Sequence, residues 1–209
     1  TRGLNPAVVP YEDLIARLSE NEDLVKIFEQ VTVLDFYGAG AGTKTPNEIL
    51  GKALKSLFAN AEVTVNEDLL AAVYAATTEP GIVCILGTGS NSCYFDGEKI
   101  HDHVPSLGYV LMDEASGNYF GKRLIRDYYY GVMPEPLMEE FARRFNLEAD
   151  EIKLNVYQKA NPNTYLASFA EFIFTAEEVN GYFYQLISDD MDRFIKRRVL
   201  CYPGAQNVP

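Results

Sequence analysis

Basic residues are scarce in this chain. Its 209 residues carry 18 Lys and Arg against 30 Asp and Glu, a formal net charge of −12. Nucleic acid and anionic membranes both call for a basic surface, so neither is an expected partner. A nucleotide stays compatible, because backbone N–H groups and Mg2+ can meet its charge locally. Cysteine is sparse too. Cys84, Cys93 and Cys201 are too few and too scattered for a disulfide framework or a zinc site. Cys84 and Cys93 fall on strand-like runs and read as reduced core residues. His101 and His103 have no Cys or third His nearby and read as surface residues, not ligands. No apolar run reaches membrane-spanning length and no signal peptide is visible, which points to a cytoplasmic protein.

What is present is a core. Hydrophobic residues make up 47% of the chain, enough for one large domain or two small ones. The apolar spacing predicts helices over Tyr11 to Leu18 and Asp23 to Glu29, then a strand from Val31 to Tyr37. Pro46 opens the next helix with Thr45 as N-cap. Its apolar face is Ile49, Leu50, Ala53, Leu54 and Leu57. Val63 to Val65 reads as a short strand and Asp68 to Ala76 as a helix. A β-meander follows from Ile82 to His101. From Asp113 the pattern is helical: Asp113 to Tyr130, Glu135 to Phe145, Glu148 to Lys159, Asn163 to Phe174 and Ala176 to Val199. This order predicts an α/β protein with a mixed sheet and flanking helices, its domain junction near Asp68 to Ala76.

The most informative segment is Ile82-Val83-Cys84-Ile85-Leu86-Gly87-Thr88-Gly89-Ser90-Asn91-Ser92. A buried strand breaks into a glycine-rich turn with two hydroxyls, and resumes as Cys93-Tyr94-Phe95 before turning at Asp96-Gly97. Glycines let backbone approach an anion, and free N–H groups and hydroxyls can bind phosphate oxygens. The alternative is a tight hairpin turn built from small residues. Gly38-Ala39-Gly40-Ala41-Gly42-Thr43-Lys44-Thr45 tempts toward a P-loop, but its register fails that motif and the dinucleotide fingerprint alike. It reads as a strand-to-helix loop near a cleft.

Two acidic positions carry the remaining chemistry. Asp68 follows a strand and opens a helix. It either caps that helix or serves as a general base toward an acceptor hydroxyl. Asp113 and Glu114 sit where a loop becomes a helix. They either complement its dipole, bind sugar hydroxyls, or reach Mg2+ through water. Gly117 inside a helix costs about 1 kcal/mol relative to Ala, which a close approach of backbone or ligand would explain. Lys196-Arg197-Arg198 reads as a solvated helix face. The aromatics Tyr128 to Tyr130 and Phe169, Phe172, Phe174, Tyr182, Phe183 and Tyr184 read as helix packing.

In order, Asp68-Leu69-Leu70-Ala71-Ala72, Gly81 through Ser92, Pro105-Ser106-Leu107-Gly108 and Asp113-Glu114-Ala115-Ser116-Gly117 resemble the BadF/BadG-type ATPases and N-acetylglucosamine kinase-like proteins. Arg2-Gly3-Leu4-Asn5-Pro6 and Phe36-Tyr37-Gly38-Ala39-Gly40 also look like family segments. The likeness covers most of the chain up to Pro136. It implies an actin-like ATPase (ribonuclease H-like) two-domain fold, with residues 1–76 from the first domain and 77–209 from the second. It implies an ATP- and Mg2+-dependent sugar kinase acting on N-acetylglucosamine or a related amino sugar at an interdomain cleft. In this likeness Asp68 is the catalytic base. Gly87, Thr88 and Gly89 bind phosphate, and Ser90, Asn91, Leu107, Gly108 and Asp113 hold the sugar. Many such folds form a homodimer. The family's Gly-Asp-Glu-Gly-Ser-Gly has become Met112-Asp113-Glu114-Ala115-Ser116-Gly117, adding bulk to a tight turn, and Leu107 replaces an aromatic found in some relatives. Both chain ends read as loops cut from something larger. The family's first phosphate hairpin would precede Thr1 and its adenosine segment follow Pro209, so residues 1–209 alone are expected not to turn over ATP. Two rivals share the superfold: an ATPase that drives iron–sulfur redox chemistry, disfavoured by buried Cys84 and Cys93, and a degenerate sugar-binding protein, favoured by Met112 and Ala115.

Overall fold

A computed structural model describes residues 3–177 and 181–205. The backbone divides into two compact units, Thr1–Thr78 and Glu79–Pro209.

The first unit is built on one strand–helix–strand crossover. Strand β1 (Val33–Gly38) pairs in parallel with β2 (Glu62–Glu67), in a register that sets Gly38 opposite Glu67. Between α1 (Tyr11–Ser19) and β1 lies only a one-turn helix, α2 (Glu22–Val25), shorter than the periodicity predicts. The connecting helix α3 (Lys44–Leu57) starts two residues before Pro46, so Thr43 and not Thr45 precedes it, and neither hydroxyl caps it. Leu50, Ala53 and Leu54 of α3 meet Leu14 and Leu18 of α1, with Phe58 and Ala61, in a closed apolar core. Each large aliphatic residue buried there stabilises the unit by about 1.5–3 kcal/mol. Asn47 of α3 donates to the carbonyls of Ala41 (3.2 Å) and Val65 (2.8 Å), tying the β1–α3 loop to β2. Helix α4 (Asp68–Ala76) leaves β2 with no linker.

The second unit opens with the expected meander: β3 (Gly81–Leu86), β4 (Ser90–Phe95) and β5 (Ile100–His101), antiparallel throughout. Parallel and antiparallel pairing are thus segregated, one sheet per unit among the described residues. Helix α5 (Gly117–Tyr129) begins four residues later than the sequence reading places it. Asp113 and Ala115 have φ of +73° and +58°, which no helix accommodates. Gly117 is therefore the first helical residue, with Ser116 as N-cap accepting from the Tyr119 N–H. Among the described residues five further α-helices follow: α6 (Glu135–Arg144), α7 (Ala149–Tyr157), α8 (Pro162–Ser168), α9 (Phe172–Thr175) and α10 (Gly181–Phe194), with a 3₁₀ turn at Phe169–Glu171. The single helix expected over Ala176 to Val199 is not one element. Ala176 is extended, 178–180 lie outside the described residues, and Ile195–Val199 is a π-turn.

Phe169, Phe172 and Phe183 are buried and pack with Phe120, Leu124, Phe141 and Leu186 into the core of this unit, as the packing reading has it, while Tyr129, Tyr130, Phe174 and Tyr184 are exposed. Helices α5 and α8 cross at Gly121, where an added Cβ would lie 1.7 Å from the Leu166 carbonyl oxygen. Cys93 is buried, but Cys84 is exposed, contrary to expectation. Side chains alternate along β3, and Val83, not Cys84, takes the inward face. His101 and His103 are exposed, as expected, with the His101 ring 2.6 Å from the Asp96 carboxylate. Among the described residues no helix is long and apolar enough to cross a membrane.

Candidate active site

In the first unit the carboxyl ends of both parallel strands come together at Gly38 and Glu67. That edge is where open α/β folds expose their loops to ligands. Asp68 sits at this edge on the first turn of α4. It is half-buried, and desolvation raises its carboxyl above the ordinary value against the lowering effect of the Leu69 and Asp68 N–H groups. Glu67, one residue earlier, leaves no room beside Gly42: a Cβ there would lie 2.7 Å from the Glu67 carboxylate carbon. Gly42 so serves close packing onto the strand end.

In the second unit the Gly87-Thr88-Gly89 turn closes on itself through Gly87 N–H to Gly89 C=O (2.9 Å). Two carbonyls of the turn are taken by the start of α5. Gly117 N–H donates to Gly87 O (2.8 Å) and Asn118 N–H to Thr88 O (3.0 Å). This is the close backbone approach that a glycine at 117 serves, since its Cβ would meet the Ala167 methyl at 3.1 Å and Gly87 O at 3.2 Å. The N–H groups of Thr88 and Gly89 and the Thr88 hydroxyl bond to nothing among the described residues, and Thr88 is exposed. Helix α5 thus holds the turn by its acceptors and leaves its donors available.

The acidic turn packs directly on this one. The Asp113 carboxylate lies against Gly89, where a Cβ would be 2.8 Å from Oδ2. Asp113 is 6% exposed and its Oδ2 accepts from Asn118 Nδ2 at 2.8 Å. Ser90, expected to face a sugar, is buried, and its hydroxyl donates to the Glu114 carbonyl at 2.7 Å. Asn91 is half-buried, and its Oδ1 accepts from the Ser92 N–H. Glu114, the candidate for water-mediated Mg2+ contact, is buried and paired with Arg197 at 2.6 Å. Leu107 is exposed on the loop before the acidic turn, and Gly108 has φ of +78° there.

Four residues of this arrangement escape the sequence reading. Asn118 carries a signal only in retrospect, as an amide directly after the acidic turn. Lys122, one helical turn on, donates to the Tyr109 carbonyl and lies 5.3 Å from the Tyr119 ring centre. Burial lowers its pKa, opposed by Asp113 and Glu114. Of the basic triplet read as a solvated face, Lys196 and Arg197 are exposed, but Arg198 is buried and Arg197 pairs with a buried acid. The π-turn sends Arg197 to Glu114, and Arg198, 2% exposed, to the Val104 carbonyl (2.6 Å) and the Met112 sulfur (3.3 Å). Their partners lie 83 to 94 residues away, beyond any local pattern.

Within the second unit, a turn with free N–H donors thus lies beside a buried acid. A solved structure from Porphyromonas gingivalis, described as a "Putative N-acetylglucosamine Kinase", matches over 100% of this chain and 74% of its own, at 36% identity and a TM-score of 0.86. The chain belongs to the N-acetylglucosamine kinase-like, BadF/BadG-type sugar kinase family. A second structure of the same description, from Chromobacterium violaceum, matches 78% of this chain and 59% of its own at 18% identity and a TM-score of 0.55, a likeness of fold. No protein-family model and no curated protein sequence matches.

Proposed function

We propose that this protein is a sugar kinase of the actin-like ATPase superfold. It transfers the terminal phosphoryl group of ATP to a hydroxyl of N-acetylglucosamine or a related amino sugar. The observation that carries this reading is the Gly87-Thr88-Gly89 turn, whose free N–H groups and hydroxyl sit beside the buried Asp113 carboxylate. Those donors fit phosphate oxygens. Asp113 accepts from sugar hydroxyls, with Asn91, Leu107 and Gly108 shaping the acceptor side. Asp68 takes the proton of the attacking hydroxyl, which an acid at a strand edge can do once ionised. Mg2+–ATP supplies the phosphoryl group and neutralises its charge. The Mg2+ would be bound mainly by phosphates and water. Phosphoryl transfer needs chiefly positioning and charge stabilisation.

The test is ADP release from Mg2+–ATP by the full-length protein against a panel of sugars, with Asp68→Asn in parallel. Release that depends on an amino sugar and falls about a hundredfold or more in the variant is the expected result. Release without any sugar would move the assignment to an ATPase, and none at all, with the fold intact, to a sugar-binding protein. The raised Asp68 pKa sets two signs. The base works only when ionised, so the acid limb of the rate profile lies above that of an ordinary aspartate. The folded state also holds this proton more tightly than the unfolded chain. Asp68 therefore weakens the fold as pH rises through its folded pKa, and Asp68→Asn melts no lower than the parent at neutral pH.

A further inference from the structure

Asn118 is fully buried at the second position of α5. Its N–H and its Nδ2 both donate to the Thr88 carbonyl, at 3.0 and 2.6 Å, and the same Nδ2 donates to Asp113 Oδ2 at 2.8 Å. Both Nδ2 neighbours are acceptors, so chemistry fixes which way the amide points. Its Oδ1 is buried with no partner among the described residues. An amide that leaves an acceptor unpaired in the interior weakens the fold, so packing alone gives no account of it. What the amide does provide is one donor group shared by the phosphate turn and the acidic turn.

We propose that Asn118 is a positioning residue that ties the Asp113 carboxylate to the Gly87-Thr88-Gly89 turn, holding the acceptor-binding acid and the phosphate turn at one fixed spacing. The consequence for catalysis rests on the sugar-kinase reading; the mechanical coupling does not. Phosphoryl transfer is acutely sensitive to that spacing, whereas binding of either ligand alone is not. Loss of Asn118 therefore falls on kcat and leaves the KM for ATP nearly unchanged.

Two variants separate this role from packing. Asn118→Asp keeps the volume but sets a second carboxylate against Asp113 and the Thr88 carbonyl, in a surround that also holds Glu114, Lys122 and Arg197. Asn118→Ala only removes the link. Positioning predicts that Asp is worse than Ala, with kcat down about a hundredfold and about tenfold respectively. Packing predicts the reverse order. Hydrogen exchange without ligand gives the independent readout. Segments 86–92 and 109–118 are expected to lose protection together, more in Asn118→Asp than in Asn118→Ala, with α6 unchanged. If the parent phosphorylates no sugar, the kinase reading fails while exchange still decides the coupling. Should Asn118→Asp not fold, Asn118→Leu replaces it and must lose protection as Asn118→Ala does. Independent protection changes in the two segments, or Leu behaving like the parent, would overturn the proposal.

Discussion

The two turns of the second unit solve opposite problems. The glycine-rich turn has glycines at 87 and 89, yet neither adopts a left-handed φ. The acidic turn needs left-handed backbone at two positions and fills them with Asp113 and Ala115. Glycine 89 is there for space, because the Asp113 carboxylate occupies the volume of its missing side chain. Asp113 and Ala115 are held in an unfavourable conformation by the contacts around them: Asn118 on Asp113, Ser90 and Arg197 on Glu114, Arg198 on Met112. The first turn is held through its carbonyls and keeps N–H donors free, whereas the second is held through side chains.

Four substitutions probe this contrast. The largest effect is expected at Gly121, a glycine used purely for space. Gly121→Ala drives a methyl into the Leu166 carbonyl and should cost about 3 kcal/mol by chemical denaturation. A small loss would mean that the α5–α8 crossing can open, and with it the platform under both turns. Next comes Gly89→Ala set against Gly87→Ala. The added methyl at 89 must push Asp113 aside, while at 87 it meets nothing within 4 Å. The first should raise the acceptor KM about tenfold and the second leave it unchanged. Equal effects would show that these glycines serve conformation, not space. The smallest effect belongs to Ala115→Gly. Left-handed backbone costs an alanine about 1–2 kcal/mol, and glycine's greater unfolded entropy returns about 0.5–1 kcal/mol of that. The variant should gain about 0.5–1 kcal/mol in thermal or chemical melts, and a loss would show that the buried methyl outweighs the strain.

Much of the scaffold was legible beforehand. The strands at Val33 and Glu62, the helix over Leu50 and Leu54 and the meander turning at Asp96-Gly97 all follow from apolar period and turn chemistry, which act over a few residues. The glycine-rich turn and the two acids were also marked. Cys84 was misread because an apolar run does not tell which face of a strand a sheet covers. The start of α5 was misread because acids in a first turn normally favour a helix, while Asp113 instead takes a left-handed φ against Gly89 and Asn118. Arg197 and Arg198 gave no sign of their roles, since a basic triplet near a helix end looks solvated wherever its partners are distant in sequence.

The amino-acid order by itself determined most of the elements, the family and which residue types are available for chemistry, because helix period, turn preference and motif order are local properties of the chain. Tertiary structure alone decided that Ser90 pins a carbonyl, that Glu114 belongs to Arg197, and that Asn118 bridges the two turns. Those roles come from backbone left-handed at Asp113 and Ala115 and from a π-turn that brings residues more than eighty positions apart into hydrogen-bond range. Hydrogen-bond direction and burial are set by neighbours in space, and no local pattern encodes them.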